Sequence, residues 1–454
     1  MIKKYVRICA LLVCTTVIAP VHSGLTKAEA DRLNDDLTPL GAERGGNADG
    51  TIPPWTGEYI DIPESYEGPG YFYPDPFPED EPLFTITADN VDEHADNLTT
   101  GLMGMFKTYP ETFKMNVYKT RRTATYPEWY YENIYEISQT ARLEEGGRGV
   151  LDAKAAIPFP IPENGLQAVW NHLLRFRGIY FELEYDQVTP TVSGRYTVDR
   201  VKHYDYFPYY DPNWDGHPEM LFMFVASQLA PPRVAGDQFL FHDYVNAARN
   251  PRNVWRYFAG QRRVRRAPVF VYDTPIPPSH GYRTIDSFDT FFGVPDKYEW
   301  ELKGKREIYI PYNNYRIADP SIPVGELVQP GHLDPEPARW ELHRVWVVDG
   351  TLKDGERHVY SRRTFYIDED SWQIAMADLY DDRGDLWRVI VNYLTNFYDV
   401  PVTYLQVEAH HDLETRRYNA LPLMNDDERS YHFSDEPRPR SFFTPDSIRR
   451  LGTR

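Results

Sequence analysis

The chain has 454 residues, 49 basic and 68 acidic, with a formal charge of −19, and its 2 cysteines are Cys9 and Cys14. That acidity argues against a nucleic-acid partner and against nonspecific adhesion to anionic lipid, while the length allows one large or two medium domains with a substantial core. The 34 Tyr, 23 Phe and 10 Trp point to β-rich architecture and to a large apolar or sugar ligand.

Lys3, Lys4 and Arg7 followed by the apolar run from Ile8 to Ala19 predict a cleavable export signal, too short to span a bilayer. Val21 and Ser23 are small residues that place the cut after Ser23, and Val13 before Cys14 disfavours lipidation. Both cysteines then leave with residues 1–23, and the mature protein is expected in the periplasm without disulfides or thiolate chemistry. Thr26 and Glu29 form a capping box for a short helix from Lys27 to Leu37, and residues 38–82 are rich in Pro and Gly, so 24–82 reads as a helix followed by an extended wrap.

Residues 83–420 read as a single domain. Val91, Ala95, Leu98, Leu102 and Phe106 recur at helical spacing, Pro127 opens a helix reaching Leu143, and Leu166, Val169, Trp170, Leu173 and Leu174 form the stripe of a helix that stops at Gly178. The period then becomes two: Ile179, Phe181, Leu183 and Tyr185 alternate with polar residues, and Met220–Val225 is apolar on both faces. Further strands are expected near 238–245, 254–260, 262–272 and 306–312. The last third predicts an antiparallel meander, 341–348, 357–366, 372–380, 386–394 and 402–408, separated by Asp/Gly turns. Residues 421–454 read as a polar tail without regular structure. The fold class is therefore α+β, a large curved antiparallel sheet in the form of a half-open barrel packed on a few helices, whose inner face can enclose a cavity.

No signature of a metalloprotease, serine hydrolase, phosphate loop or dinucleotide site is present, and the chain calls for no cofactor. His410, His411 and Asp412 make a poor metal site, because neighbours on a strand face opposite ways. Paired carboxylates for glycoside hydrolysis cannot be picked out by spacing among so many acids. Two groups stand out. Trp170, Leu173, Leu174, Phe181, Phe222 and Phe224 are the candidate cavity or lid residues, with the helix 165–178 as the lid. Arg262, Arg263, Arg265 and Arg266 form a basic cluster which, in a strand, would divide between both faces and either pair with neighbouring carboxylates or seat an anionic group or partner.

The segments 37–57 (LTPLGAERGGNADGTIPPWTG), 161–178 (IPENGLQAVWNHLLRFRG), 260–268 (GQRRVRRAP), 297–313 (KYEWELKGKREIYIPYN) and 362–389 (RRTFYIDEDSWQIAMADLYDDRGDLWRV) resemble those of exported proteins often called outer-membrane lipoprotein-sorting proteins. The resemblance spans nearly the whole mature chain. It implies a fold like the periplasmic lipoprotein carriers, in which a half-open antiparallel barrel holds acyl chains beneath a helical lid. It also implies envelope transport of hydrophobic compounds, alongside an inner-membrane exporter of the resistance-nodulation-division type and an outer-membrane protein. The expectation is thus a non-enzymatic periplasmic carrier of a hydrophobic small molecule or lipid, against the alternative of a secreted β-rich protein that binds or hydrolyses polysaccharide.

Overall fold

A computed structural model describes residues 24–267 and 272–453; the expected export signal and the expected cut after Ser23 lie outside the described residues. The helices are α1 (Lys27–Asp31), α2 (Thr100–Thr108), α3 (Glu128–Ile137), α4 (Gly165–Leu174), α5 (Val324–Leu327) and α6 (Pro445–Gly452). The strands are β1 (Phe84–Ile86), β2 (Met115–Val117), β3 (Arg142–Leu143), β4 (Val150–Leu151), β5 (Tyr180–Pro190), β6 (Tyr196–Tyr206), β7 (Met220–Gln228), β8 (Gln238–Tyr244) and β9 (Asn253–Phe258). They continue with β10 (Arg263–Arg266), β11 (Tyr298–Pro311), β12 (Trp340–Leu352), β13 (Arg362–Asp368), β14 (Ile374–Tyr380), β15 (Leu386–Phe397), β16 (Val402–Asp412), β17 (Arg417–Leu423) and β18 (His432–Ser434).

Two antiparallel meanders, β5 to β10 and β11 to β17, are joined edge to edge where β17 pairs with β5. The path does not close: β10 ends one side, and β1 with β2 ends the other through the parallel bridge of Val117 to Trp340. The result is an open, curved, mainly antiparallel sheet with few helices. Its curl is visible at α4. A Cβ built on Gly165 would strike the backbone of Trp300 and Glu301 on β11, while Trp170 and Leu173 of the same helix line a small void together with Leu221 and Tyr244 of the other meander.

Strands β13 to β16 are buried along almost their whole length because both faces are covered. On the outer face, α2 packs so closely that a Cβ at Gly101 would fall 2.1 Å from the Asp378 carboxylate and 2.8 Å from Val389. On the inner face lie α4 and the segment 272–297.

Several expectations are corrected. The helix drawn through Val91 to Phe106 is broken: Val91–Asn97 is a 3-10 turn, and the Thr99 hydroxyl accepts from Leu102 N–H to cap α2 afresh. Helix α3 stops at Ile137, and Arg142–Leu143 pairs with Val150–Leu151 instead. Strand β6 was not foreseen, because its inward positions carry Asp199, His203 and Asp205, which spoil the apolar alternation. The tail is structured. Strand β18 pairs with β5, and Thr444 caps α6, whose Pro445 suits a first turn and whose Ile448 is fully buried. Of the strand expected over 262–272, only Arg263–Arg266 forms, and residues 268–271 lie outside the described residues.

Candidate functional site: an apolar cavity under a strap

Alternation along β5, β6, β7 and β8 turns one side chain in two to the inner face, and ladder register brings these together. Tyr185 stands opposite Val201, Val201 opposite Gln228, Phe224 opposite Phe241 and Ala226 opposite Phe239. Phe222 and Phe224 stack with ring centroids 5.8 Å apart. These residues wall a cavity of about 90 Å³. Its other side is segment 272–297, which contributes Ile276, Pro277, Pro278, Ile285, Phe288 and Phe292; Phe288 lies 5.7 Å from Phe224.

This strap is fastened by buried charge. Asp286 accepts from Arg363 at 2.7 Å and lies 3.1 Å from His358. Burial would raise its pKa, yet Arg363 and His358 outweigh that and hold its carboxyl well below the usual range. Asp289 is gripped by Arg175 and Arg177 from the end of α4. Here too the guanidiniums overcome burial, and the carboxyl is held down to about 2. Asp289 and Thr290 both sit in left-handed backbone (φ +50° and +61°), a conformation that persists only where surrounding contacts over-determine it. Those contacts are present: Thr290 N–H donates to Glu408 at 3.1 Å, and Gln373 Nε2 donates to Asp289 at 3.2 Å. Further along, Arg388 reaches the carbonyls of Gly281 and Tyr282.

Polar groups also face the cavity. Tyr185 hydroxyl lies 2.9 Å from His203 Nε2, and burial first, then Arg283, pushes His203 down to about 3, so its ring is neutral. Arg252 pairs with Asp243 at 2.6 Å, and Arg283 lies 3.8 Å from Glu408. Gln187 Nε2, Gln228 Oε1, Asp243 Oδ2 and Arg283 Nε are buried without a hydrogen-bond partner among the described residues.

The structure brings together Phe222 and Phe224 of the sequence-predicted group in this cavity. Trp170 and Leu173 border a separate void of about 30 Å³, Phe181 another of the same size, and Leu174 is fully buried. Residues Gln167 to Leu174 of α4 are all buried, and Trp170 Nε1 donates to the Gly147 carbonyl at 3.1 Å. Helix α4 is therefore buried from Gln167 to Leu174, and the segment that lines the far side of this cavity is the strap. The four arginines lie at the sheet edge, outside the cavity lining. Arg262 is the left-handed turn residue (φ +52°) before β10, so the expected division of all four between two strand faces does not arise. Among the described residues none of them pairs with a carboxylate within 4.0 Å; Arg265 instead donates to Gln261 and Arg266 to Asn253. The strap, Gln187 and Gln228 escaped the sequence reading, since a Pro/Ser/Asp-rich loop and polar strand positions look like solvent-facing chain.

A second polar cluster lies beside β12 and β13. His343, Asp368 and Asp370 present ligand atoms within 4.8 Å of one another, but Asp370 is held in a two-point grip by Arg122 (2.9 and 2.6 Å) and Arg344 binds Glu369. A cation there would have to displace a guanidinium, so the cluster is an ion-pair knot. His410 and His411 do point opposite ways, to Glu408 and to the Gly331 carbonyl. No helix among the described residues is long and apolar enough to cross a membrane.

Residues 85–449 match a family model described as Protein of unknown function (DUF1329). An uncharacterized protein of Pseudomonas aeruginosa is 45% identical over 449 residues, covering 98% of this chain and 96% of its own. Among solved structures, the chain is similar to a DUF1329 family protein from Desulfovibrio piger, with a TM-score of 0.42 and 13% identity over 60% of this chain and 92% of that one. It is also similar to a putative outer membrane lipoprotein-sorting protein domain from Vibrio parahaemolyticus, with a TM-score of 0.43 and 13% identity over 63% of this chain and 98% of that one. On the family match and the extent of its identity to the Pseudomonas protein, the chain belongs to the DUF1329 family.

Proposed function

We propose that this protein is a non-enzymatic periplasmic carrier that holds a hydrophobic or amphiphilic, lipid-like molecule in the cavity beneath the strap. One observation carries the reading: an aromatic-walled space between the inner face of β5–β8 and a segment fastened over it by buried ion pairs. Phe222, Phe224, Phe239 and Phe241 face inward, the arrangement for apolar burial. Stacking on polysaccharide would need them along an exposed groove.

The magnitudes limit the cargo. About 90 Å³ has room for about six to nine water-sized groups, since each needs roughly 10–15 Å³ on this measure. About seven methylenes at ~0.8 kcal/mol each contribute about 5–6 kcal/mol, an affinity near 0.1 mM. Tighter binding requires polar contacts, or a strap that lifts to admit more chain. The exposed, carboxylate-free arginines at Arg262 to Arg266 suit a contact with an anionic group or with an envelope partner, an exporter of the resistance-nodulation-division type or an outer-membrane protein. The reading is tested by native mass spectrometry of the mature protein from a periplasmic extract, with titration of N-phenyl-1-naphthylamine. A stoichiometric lipid-like adduct, or saturable fluorescence with one site, is expected; an empty protein that does not take up the dye overturns it.

A further inference from the structure

The cavity wall makes a statement about charge. The ionised groups of the lining are already paired: Arg252 has Asp243 at 2.6 Å and Arg283 has Glu408 at 3.8 Å, while Asp199 beside it, which faces Gln187 across the ladder, lies 3.0 Å from His280 Nε2. Burial first and then Arg283 push His203 down to about 3, and Asp205, which borders a neighbouring void and not this lining, has its pKa pushed up by burial. An ionic ligand head would therefore enter a low-dielectric space with no opposite charge to receive it, at a desolvation cost of several kcal/mol.

Two carboxamides behave differently. Gln187 on β5 and Gln228 on β7 are 2% and 5% exposed, both border the cavity, and Gln187 Nε2 and Gln228 Oε1 have no partner among the described residues. A buried polar atom left unpaired costs roughly 1–3 kcal/mol, and apolar side chains would fill these positions at no such cost. The two atoms are a donor and an acceptor, complementary to a group that itself both accepts and donates.

Building on the carrier reading above, we infer that the cavity selects an uncharged amphiphile, a hydrocarbon body bearing a hydroxyl or amide group that exchanges hydrogen bonds with Gln187 and Gln228. Carboxylates, phosphates and ammonium heads are excluded. Asp243 Oδ2 and Arg283 Nε, also unpaired, offer the same mixed character farther along the wall, so a second hydroxyl is tolerated as well.

The test is displacement of N-phenyl-1-naphthylamine from the mature protein at neutral pH by four ligands of one chain length, 1-octanol, octanamide, octanoate and octylammonium. The octyl chain matches the space available. Octanol and octanamide are expected to displace the dye at about tenfold lower concentration than either ion, the factor equivalent to one good hydrogen bond. In the double variant Gln187→Leu with Gln228→Leu, dye binding should tighten and the preference should collapse. Its melting temperature should rise, which establishes that the variant is folded. Equal or better displacement by octanoate or octylammonium overturns the head-group inference while leaving the carrier reading intact, as does a preference that survives the double variant. Failure of the wild-type protein to take up the dye, and of native mass spectrometry to show any octyl adduct, overturns both.

Discussion

Asp289 concentrates the energetics of the site in one carboxylate. It accepts from two guanidiniums that are each 1% exposed, and removal of one partner from a buried ion pair leaves charge that nothing compensates. Asp289→Asn is expected to destabilise the fold by about 3–5 kcal/mol in urea denaturation. The same carboxylate sets an acid limit. Its folded-state pKa of about 2 lies below the ordinary aspartate value of 3.8, so its contribution of about 2 kcal/mol is fully present above pH 4 and is lost as pH falls toward 2. Asp378 has the opposite sign. Burial raises it from 3.8 to about 6, so stability falls as pH rises through that window and is level above it. Asp378→Asn, with Tyr366 hydroxyl still able to donate at 2.9 Å, should flatten that part of the pH–stability curve and add about 1–2 kcal/mol at pH 8. Phe222 and Phe224 were legible in the sequence because a run apolar on both faces demands cover on both. Gln187 and His203 were not: in a linear pattern a polar residue at every second place signals water, and only the ladder register shows that these face inward.

At the scale of elements, sequence suggested a covering role for α4 and none for the strap, while the structure buries α4 and sets the strap against the cavity. The stripe of Leu166, Val169, Trp170, Leu173 and Leu174 correctly announces a helix, but periodicity reports only that one side is apolar. It is silent on what covers the other side, and here Asn171 and His172 on the remaining surface are themselves fully buried. His172 is wedged against the carbonyls of Trp372, Asp289 and Phe291. Trp170→Ala should therefore cost about 3–5 kcal/mol of stability and change dye affinity less than threefold when measured at a temperature where the variant is folded. Phe288→Ala removes a strap ring that faces Phe224, at a position only partly buried. It should cost less stability and raise the dye's dissociation rate about tenfold in stopped-flow, because it opens the cover. If Trp170→Ala and Phe288→Ala exchanged these phenotypes, α4 would be the lid after all.

For the molecule as a whole, β12–β16 were readable from their Asp/Gly turns, whereas β17 in the same meander and β6 in the other were not expected, and the cover of that other meander arrives from distant sequence. The chain end supplies some of that cover. Helix α6 lies behind β8 and β9, on the face opposite the cavity: His242, whose neighbours Phe241 and Asp243 point inward, lies 3.0 Å from the Phe443 carbonyl, and a Cβ on Gly452 would collide with the Tyr257 ring at 2.3 Å. Phe443 and Ile448 are 1% and 0% exposed, so each contributes about 1.5–3 kcal/mol by leaving water. Deletion of residues 440–454 strips the back of the cavity wall while sparing every ion pair that holds the strap. Amides of β8 and β9 should then exchange with solvent at least about tenfold faster, while those of β13–β15, covered by α2 and α4, keep their protection. Dye affinity should fall with the softened wall. Uniform loss of protection across both meanders would show instead that the tail stabilises the sheet globally, and the cavity wall would then have no separate local stability to tune.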